Sequence, residues 1–190
     1  MMGTELADLQ NLLKKPISLI AIFSILAALV LISVLALKNL GRPTWKGLVP
    51  GQSTKNEIEK KLGQPSETSL QDGKELLRYP SSNQFRKDTL VLENNQLSLV
   101  KEEVINKEKG NLKDYLQRFG KPDLEGYGPY SEAGFKVYVF AKDGVAVVAN
   151  PVDGTIIQMW YFKPTTLTVF KSTIGQGISD SPPESRPDQF

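Results

Sequence analysis

The stretch "GQSTKNEIEKKLGQP", Gly51–Pro65, carries its own start and stop signals. Thr54 followed by Glu57 fits a capping box, in which the hydroxyl accepts a first-turn N–H and the carboxylate reaches back. Ile58 and Leu62 lie four apart and share a helix face. Gly63 suits the backbone just past a helix end, and Pro65 blocks continuation. These signals predict a helix over about Thr54–Leu62. It is too short to hold alone in water, so it must bury its apolar side on something.

That something comes next in the chain. "KELLRYP" and "DTLVLENNQLSLVKEEV" contain three apolar runs, the last two split by Asn94-Asn95. An Asn pair tolerates positive φ, which a tight hairpin needs. Three antiparallel strands are predicted, at about Glu75–Tyr79, Thr89–Glu93 and Gln96–Val104. Period-two alternation puts Leu90 with Leu92, and Leu97 with Leu99, on shared faces.

The pattern then repeats. In "EKGNLKDYLQRFGKP", Glu108–Pro122, Asn111 stands where Thr54 stood, and Asp114, Tyr115, Phe119, Gly120 and Pro122 come in the same order. Leu112, Tyr115, Leu116 and Phe119 form a clear helical stripe. Strands are expected over Phe135–Phe140, Val145–Ala149 and Thr155–Phe162, with Asp143-Gly144 and Asp153-Gly154 as turns. The alternative is chance recurrence of a common capped helix; the shared order of helix, stop and strands favours a duplication. The expected fold class is therefore α+β, with two helix-plus-three-stranded antiparallel units, 51–104 and 105–164. A single such unit is near the lower size limit for a core, and pairing two enlarges it.

Upstream, "ISLIAIFSILAALVLISVLAL", Ile17–Leu37, runs 21 residues without charge, Pro or Gly. At about 1.5 Å per residue a helix of this length spans the ~30 Å hydrocarbon core. A transmembrane helix over 17–37 is expected, preceded by a short tail, 1–16. The run exceeds a signal-peptide core of about 7–15 residues, which favours a retained anchor over a cleaved one. Lys14 and Lys15 on one side, and Lys38, Arg42 and Lys46 on the other, leave orientation undecided. Residues 38–50 read as a linker, where Trp45 either sits at the membrane interface or packs on the first unit. Past 164, "TTLTVF" reads as an edge strand, and the Gly-, Ser- and Pro-rich remainder to 190 as a disordered tail.

Composition removes several function classes. The chain has no Cys and no His, which excludes thiolate and imidazole chemistry and the zinc sites built from them. Between Thr44 and Pro164, 17 basic and 16 acidic residues are well mixed, so no electrostatic footprint for nucleic acid emerges. "GYGPYSEAG", Gly126–Gly134, lacks the Gly-Lys-Ser/Thr of a phosphate loop. Glu102, Glu103 and Asp153 could pair as acid and base, yet a solvated strand edge or turn explains them more simply. No catalytic, metal or cofactor residues are assigned. Aromatic residues crowd the second unit, and exposed Tyr and Trp favour interfaces. Tyr127, Tyr130, Tyr138 and Trp160 are the candidate partner-binding residues, through the second unit's open sheet face and the Tyr127–Tyr130 loop; the alternative is that both sheet faces are covered, by the neighbouring unit for example.

With these residues in place, the chain resembles the small outer-membrane assembly lipoproteins, the SmpA/OmlA group that includes BamE. Gly51, Thr54, Leu62, Gly63, Pro65 and Tyr79 match that signature; Phe119, Gly120, Pro122 and Tyr138 match it more loosely. The tandem arrangement is also similar to that of the beta-lactamase inhibitor proteins. The resemblance covers roughly Trp45–Phe162. It implies a non-enzymatic cell-envelope module that binds a protein partner, with its folded part extracytoplasmic. A transmembrane helix stands where the family has a lipid-bearing Cys. A membrane-anchored domain for a lipid or a cell-wall glycan is the alternative.

Overall fold

The computed structural model describes residues 43–105 and 107–183. The predicted anchor at 17–37 and the tail at 1–16 lie outside them. Among the described residues no helix is long and apolar enough to cross a membrane.

Both capped helices form where the caps place them. Helix α1 spans Lys55–Leu62, and the Thr54 backbone N–H donates to the Glu57 carboxylate at 2.8 Å, completing the capping box. Helix α2 spans Leu112–Phe119, with Asn111 and Asp114 in the same two roles. Gly63 and Gly120 end them at matching φ of 81° and 80°.

Each helix leads into four strands, one more than predicted. The first unit contributes β1 (Glu67–Gln71), β2 (Lys74–Pro80), β3 (Lys87–Glu93) and β4 (Gln96–Glu103). The second contributes β5 (Leu124–Gly126), β6 (Lys136–Phe140), β7 (Val145–Ala149) and β8 (Ile156–Phe162). The additional first strands are a polar one and a three-residue one, neither of which has a hydrophobic pattern to announce it. Asp72 and Gly73 close the β1–β2 hairpin at φ 51° and 74°, as Asn94 and Asn95 close β3–β4 at 49° and 62°. These are the left-handed conformations that two-residue hairpin turns require.

The two units do not stand apart. They form one antiparallel eight-stranded sheet in the order β1-β2-β3-β4-β8-β7-β6-β5. Strands β4 and β8 make the seam, with Lys101 opposite Trp160. These two residues also correspond in the repeat, so an approximate two-fold axis passes between them. Register irregularities recur at equivalent places, Val91/Leu92 in one half and Val148/Ala149 in the other.

One face of the sheet carries both helices. Under α1 lie Leu77, Tyr79, Leu90, Leu92, Leu97 and Val100 around Ile58. Under α2 lie Tyr138, Phe140, Val145, Val147, Ile156 and Met159 around Leu112. Tyr161 touches both clusters at the seam. Trp45 and Leu48 are buried in the α1 cluster, so this part of the expected linker belongs to the fold. Leu97 and Leu99, predicted to share a face, do not: the irregularity opposite Val91/Leu92 places Leu97 under α1 and Leu99 on the other side.

On that other side, the stretch predicted as an edge strand is a helix. Helix α3 (Leu167–Thr173) is capped by Thr166, whose hydroxyl accepts from the Val169 N–H. Its Phe170 is fully buried, 5.1 Å ring to ring from Phe162. The β-branched run "TTLTVF" suggests a strand, but the cap and the apolar surface of β7 and β8 decide otherwise. The first part of the expected disordered tail then docks. Ile174 and Ile178 pack on the same core, and Ser179 exchanges backbone hydrogen bonds of 2.8 and 2.9 Å with Tyr127. Gly126 permits this approach, because Ile178 and the Ser179 carbonyl occupy the space a side chain would fill.

Candidate functional site: the uncovered half of the sheet

The face opposite α1 and α2 is treated differently in the two halves. A single row of paired residues crosses it: Glu67, Arg78, Thr89, Lys101, Trp160, Ala146, Val139 and Leu124. The second-half members all belong to the core beneath α3 and the docked tail. The first-half members are polar or charged, and among the described residues no helix covers them. The next row shows the same change more gently. Leu76 and Val91 are half-buried, Leu99 is buried, and Phe162 is enclosed beneath Phe170.

Lys101 lies at the inner border of this surface, where the uncovered half meets the covered one. Its ammonium lies 4.5 Å from the Trp160 ring centroid, a cation–π arrangement. Partial burial pushes its pKa down from the ordinary lysine value, opposed by the negative Glu103. The other cations of the face have carboxylate partners: Lys74 with Glu93 at 3.0 Å, and Arg78 and Lys87 with Glu67 at 3.4 and 3.2 Å. Among the described residues, Lys101 has no carboxylate within ion-pair distance.

Next to Lys101 a polar chain enters the seam. The Gln158 amide donates to Glu103 at 2.6 Å, and the Trp160 indole N–H donates to Gln158. The other Glu103 oxygen has no hydrogen-bond partner and lies 3.5 Å from Arg86. Arg86 in turn stacks over Tyr130 at 4.6 Å. On the helix face, Tyr161 donates to Glu102 at 2.8 Å, and Lys109 pairs with the same carboxylate at 3.0 Å. Burial first, and Glu102 second, push the Tyr161 pKa far up, which keeps the phenol a donor. Glu102 and Glu103, expected at a solvated edge, are thus buried, and alternation sends them to opposite faces. They satisfy donors at the seam and do not converge as an acid–base pair. Among the described residues no group of three or more acidic side chains is placed to hold a metal.

The four aromatic candidates separate. Tyr138 is 5% exposed beneath α2, and Trp160 is 3% exposed beneath Lys101. Neither offers its ring to a partner, because each sits in a filled cluster. Tyr127 is half-buried, with Lys136 over its ring and Ser179 paired to its backbone. Tyr130 is half-buried and lines an open groove of about 530 Å3 with Phe85, Arg86, Ile105, Phe135 and Ile157. Phe85 is 86% exposed at its rim. The second unit's open face, expected to carry the partner, is covered by α3; the uncovered face belongs to the first unit. Lys101, Arg78 and Thr89 do not stand out in the sequence. The signal is nevertheless present: "KDTLVLE" alternates, as a strand with one wet face does, whereas "VAVVA" is apolar throughout.

No family model matches the chain, and no curated protein matches it. Among solved structures it is similar to a DUF4309 family protein, YjgB, from Bacillus subtilis, at 15% identity and a TM-score of 0.48, covering 65% of this chain and 88% of that one. It is also similar to a cysteine-rich secretory protein, SAV1118, from Staphylococcus aureus, at 11% identity and a TM-score of 0.41, covering 74% of this chain and 56% of that one.

Proposed function

We propose that this protein is a non-enzymatic interaction module of the cell envelope, held at the membrane by residues 17–37 and folded on the extracytoplasmic side. Its partner is a protein, and the docking surface is the uncovered face of β2, β3 and β4. The observation that carries this reading is the unequal cover of one sheet face. The second half is apolar and closed by α3; in the first half Val91 packs at the border of that core, and beyond it half-buried Leu76 stands among cations with no described helix over it. Exposed or half-exposed apolar side chains on a rigid sheet suit a protein interface. The membrane part of the reading rests on the length and apolarity of 17–37 alone.

The test is site-specific photo-crosslinking of the full chain in its native cell. A photoreactive residue at Thr89 should give adducts with another protein in the membrane fraction. The same residue at Lys60, on the exposed side of α1, should give none. Equal adducts from both positions, or none from Thr89, would overturn the reading, and recovery in the soluble fraction would overturn the anchor.

A further inference from the structure

We infer that the segment docking on the uncovered half-face is an acidic amphipathic helix of the partner, with a carboxylate placed against Lys101. This rests on the interaction reading above and specifies its chemistry. Two separate observations lead to it.

The first is charge. Among the described residues the uncovered half-face carries Lys74, Arg78, Lys87 and Lys101 against the exposed carboxylates Glu67 and Glu93, while buried Glu103 is matched by Arg86. Glu67 is shared by Arg78 and Lys87, so positive charge is left over even where pairs form. Lys101 is the extreme case: half-buried, held on Trp160, and facing no carboxylate within ion-pair distance among the described residues. A partly desolvated ammonium whose nearest attractive carboxylate, Glu103, is beyond ion-pair distance and engaged by Gln158 and Arg86 is held at a cost, and an incoming carboxylate would reduce that cost as it excludes water.

The second is the form of the cover in the other half. There the same sheet face takes a helix that inserts one aromatic, Phe170, with Leu167 and Ile174 on the same stripe. The equivalent half-face offers Leu76, with Val91 beside it at the border of the α3 core, as the matching apolar floor. A groove of about 500 Å3 runs along α3 between Val169 and Thr173 on one wall and Lys74 and Ser98 on the other. Val169 is 47% exposed there, although it belongs to a helix whose other side is buried. A second helix laid beside α3 would cover Val169 and the floor together, and its polar flank would meet the cations.

The experiment extends the crosslinking at Thr89 and maps the adducted peptide by mass spectrometry. The expected adduct is a net-negative segment with an apolar i, i+3, i+4 pattern. Replacing Lys101→Gln together with Lys87→Glu should lower adduct yield by about 10-fold, while Lys101→Arg should retain it. Lys87 is exposed, so Lys87→Glu alone keeps the fold and should lower the yield by about 3-fold. Undiminished yield in the charge variants, or mapping to a neutral or basic segment, to a second copy of this chain or to an extended strand, would overturn the acidic helix and leave the interaction reading standing. Absence of any protein adduct at Thr89 would overturn both.

Discussion

Arg78 and Val139 hold equivalent places in the two repeats, each at the middle of the second strand and on the face away from the capped helices. Arg78 is half-buried, pairs with Glu67 and touches Ser69. Val139 is fully buried among Leu124, Ala146 and Trp160. Strand order and helix placement correspond, and the chemistry is opposite. The difference lies in the segment that each repeat runs into. After β8 come α3 and the docked tail, which supply a second apolar layer. After β4 the chain goes directly to Asn111 and α2. The repeated pattern thus has two outcomes: one half has apolar layers on both sheet faces, and the other has a sheet face that no described helix covers. Local pattern builds the repeat, while chain continuation decides which of its faces stay wet.

Four substitutions put this contrast to the test. The largest effect is expected from Val137→Asp, beneath the docked tail at 1% exposure. An unpaired carboxylate there should cost about 4 kcal/mol or more, enough to abolish a cooperative urea transition near neutral pH. A mild cost would mean that α3 and the tail do not close this half. Glu103→Leu should come next, at about 2 kcal/mol by urea unfolding, because Gln158 loses its acceptor and Arg86 its counter-charge at the seam.

Lys101→Met should act in the opposite direction. Replacing a half-buried cation by a side chain of similar volume should stabilise the protein by about 1 kcal/mol at pH 7. The folded-state pKa of Lys101 lies below its ordinary value of 10.5, so folding disfavours the charged amine relative to the unfolded chain. The cost is therefore present while the amine is charged in both states and falls as pH rises from the folded pKa towards 10.5. The advantage of Met should shrink over that alkaline window, and a pH-independent gain would show that charge burial is not its cause. The smallest effect belongs to Leu76→Asp, the repeat equivalent of Val137→Asp. On the uncovered half it should cost about 0.5 kcal/mol, and a loss as large as that of Val137→Asp would erase the distinction between the halves.

Much of the fold is legible in the sequence for identifiable reasons. Thr54/Glu57 and Asn111/Asp114 specify helix starts through local hydrogen bonds, and Gly63 and Gly120 specify the ends through backbone freedom. Asn94-Asn95 fixes a turn through its tolerance of positive φ. The six central strands are readable because their apolar runs are strong. Strands β1 and β5 are not, because an edge strand needs only one paired neighbour and little apolar content. Helix α3 is hidden because its β-branched residues favour a strand until Phe162 offers Phe170 a place to bury. The site is legible only in outline. Aromatic enrichment draws notice to Tyr138 and Trp160, yet large aromatic side chains serve a core as readily as an interface, and both are buried here.

From the amino-acid order alone come the two capped helices and the hairpins that follow them, since each depends on residues close together in the chain. The same order also records, in the alternation of "KDTLVLE" against the unbroken "VAVVA", that one half has a wet face and the other does not. Three outcomes needed the folded chain: the halves share one sheet, Lys101 rests on Trp160 at the seam, and α3 covers the second half alone. They join residues far apart in the chain, where burial and charge compensation, rather than local backbone preference, set the free energy.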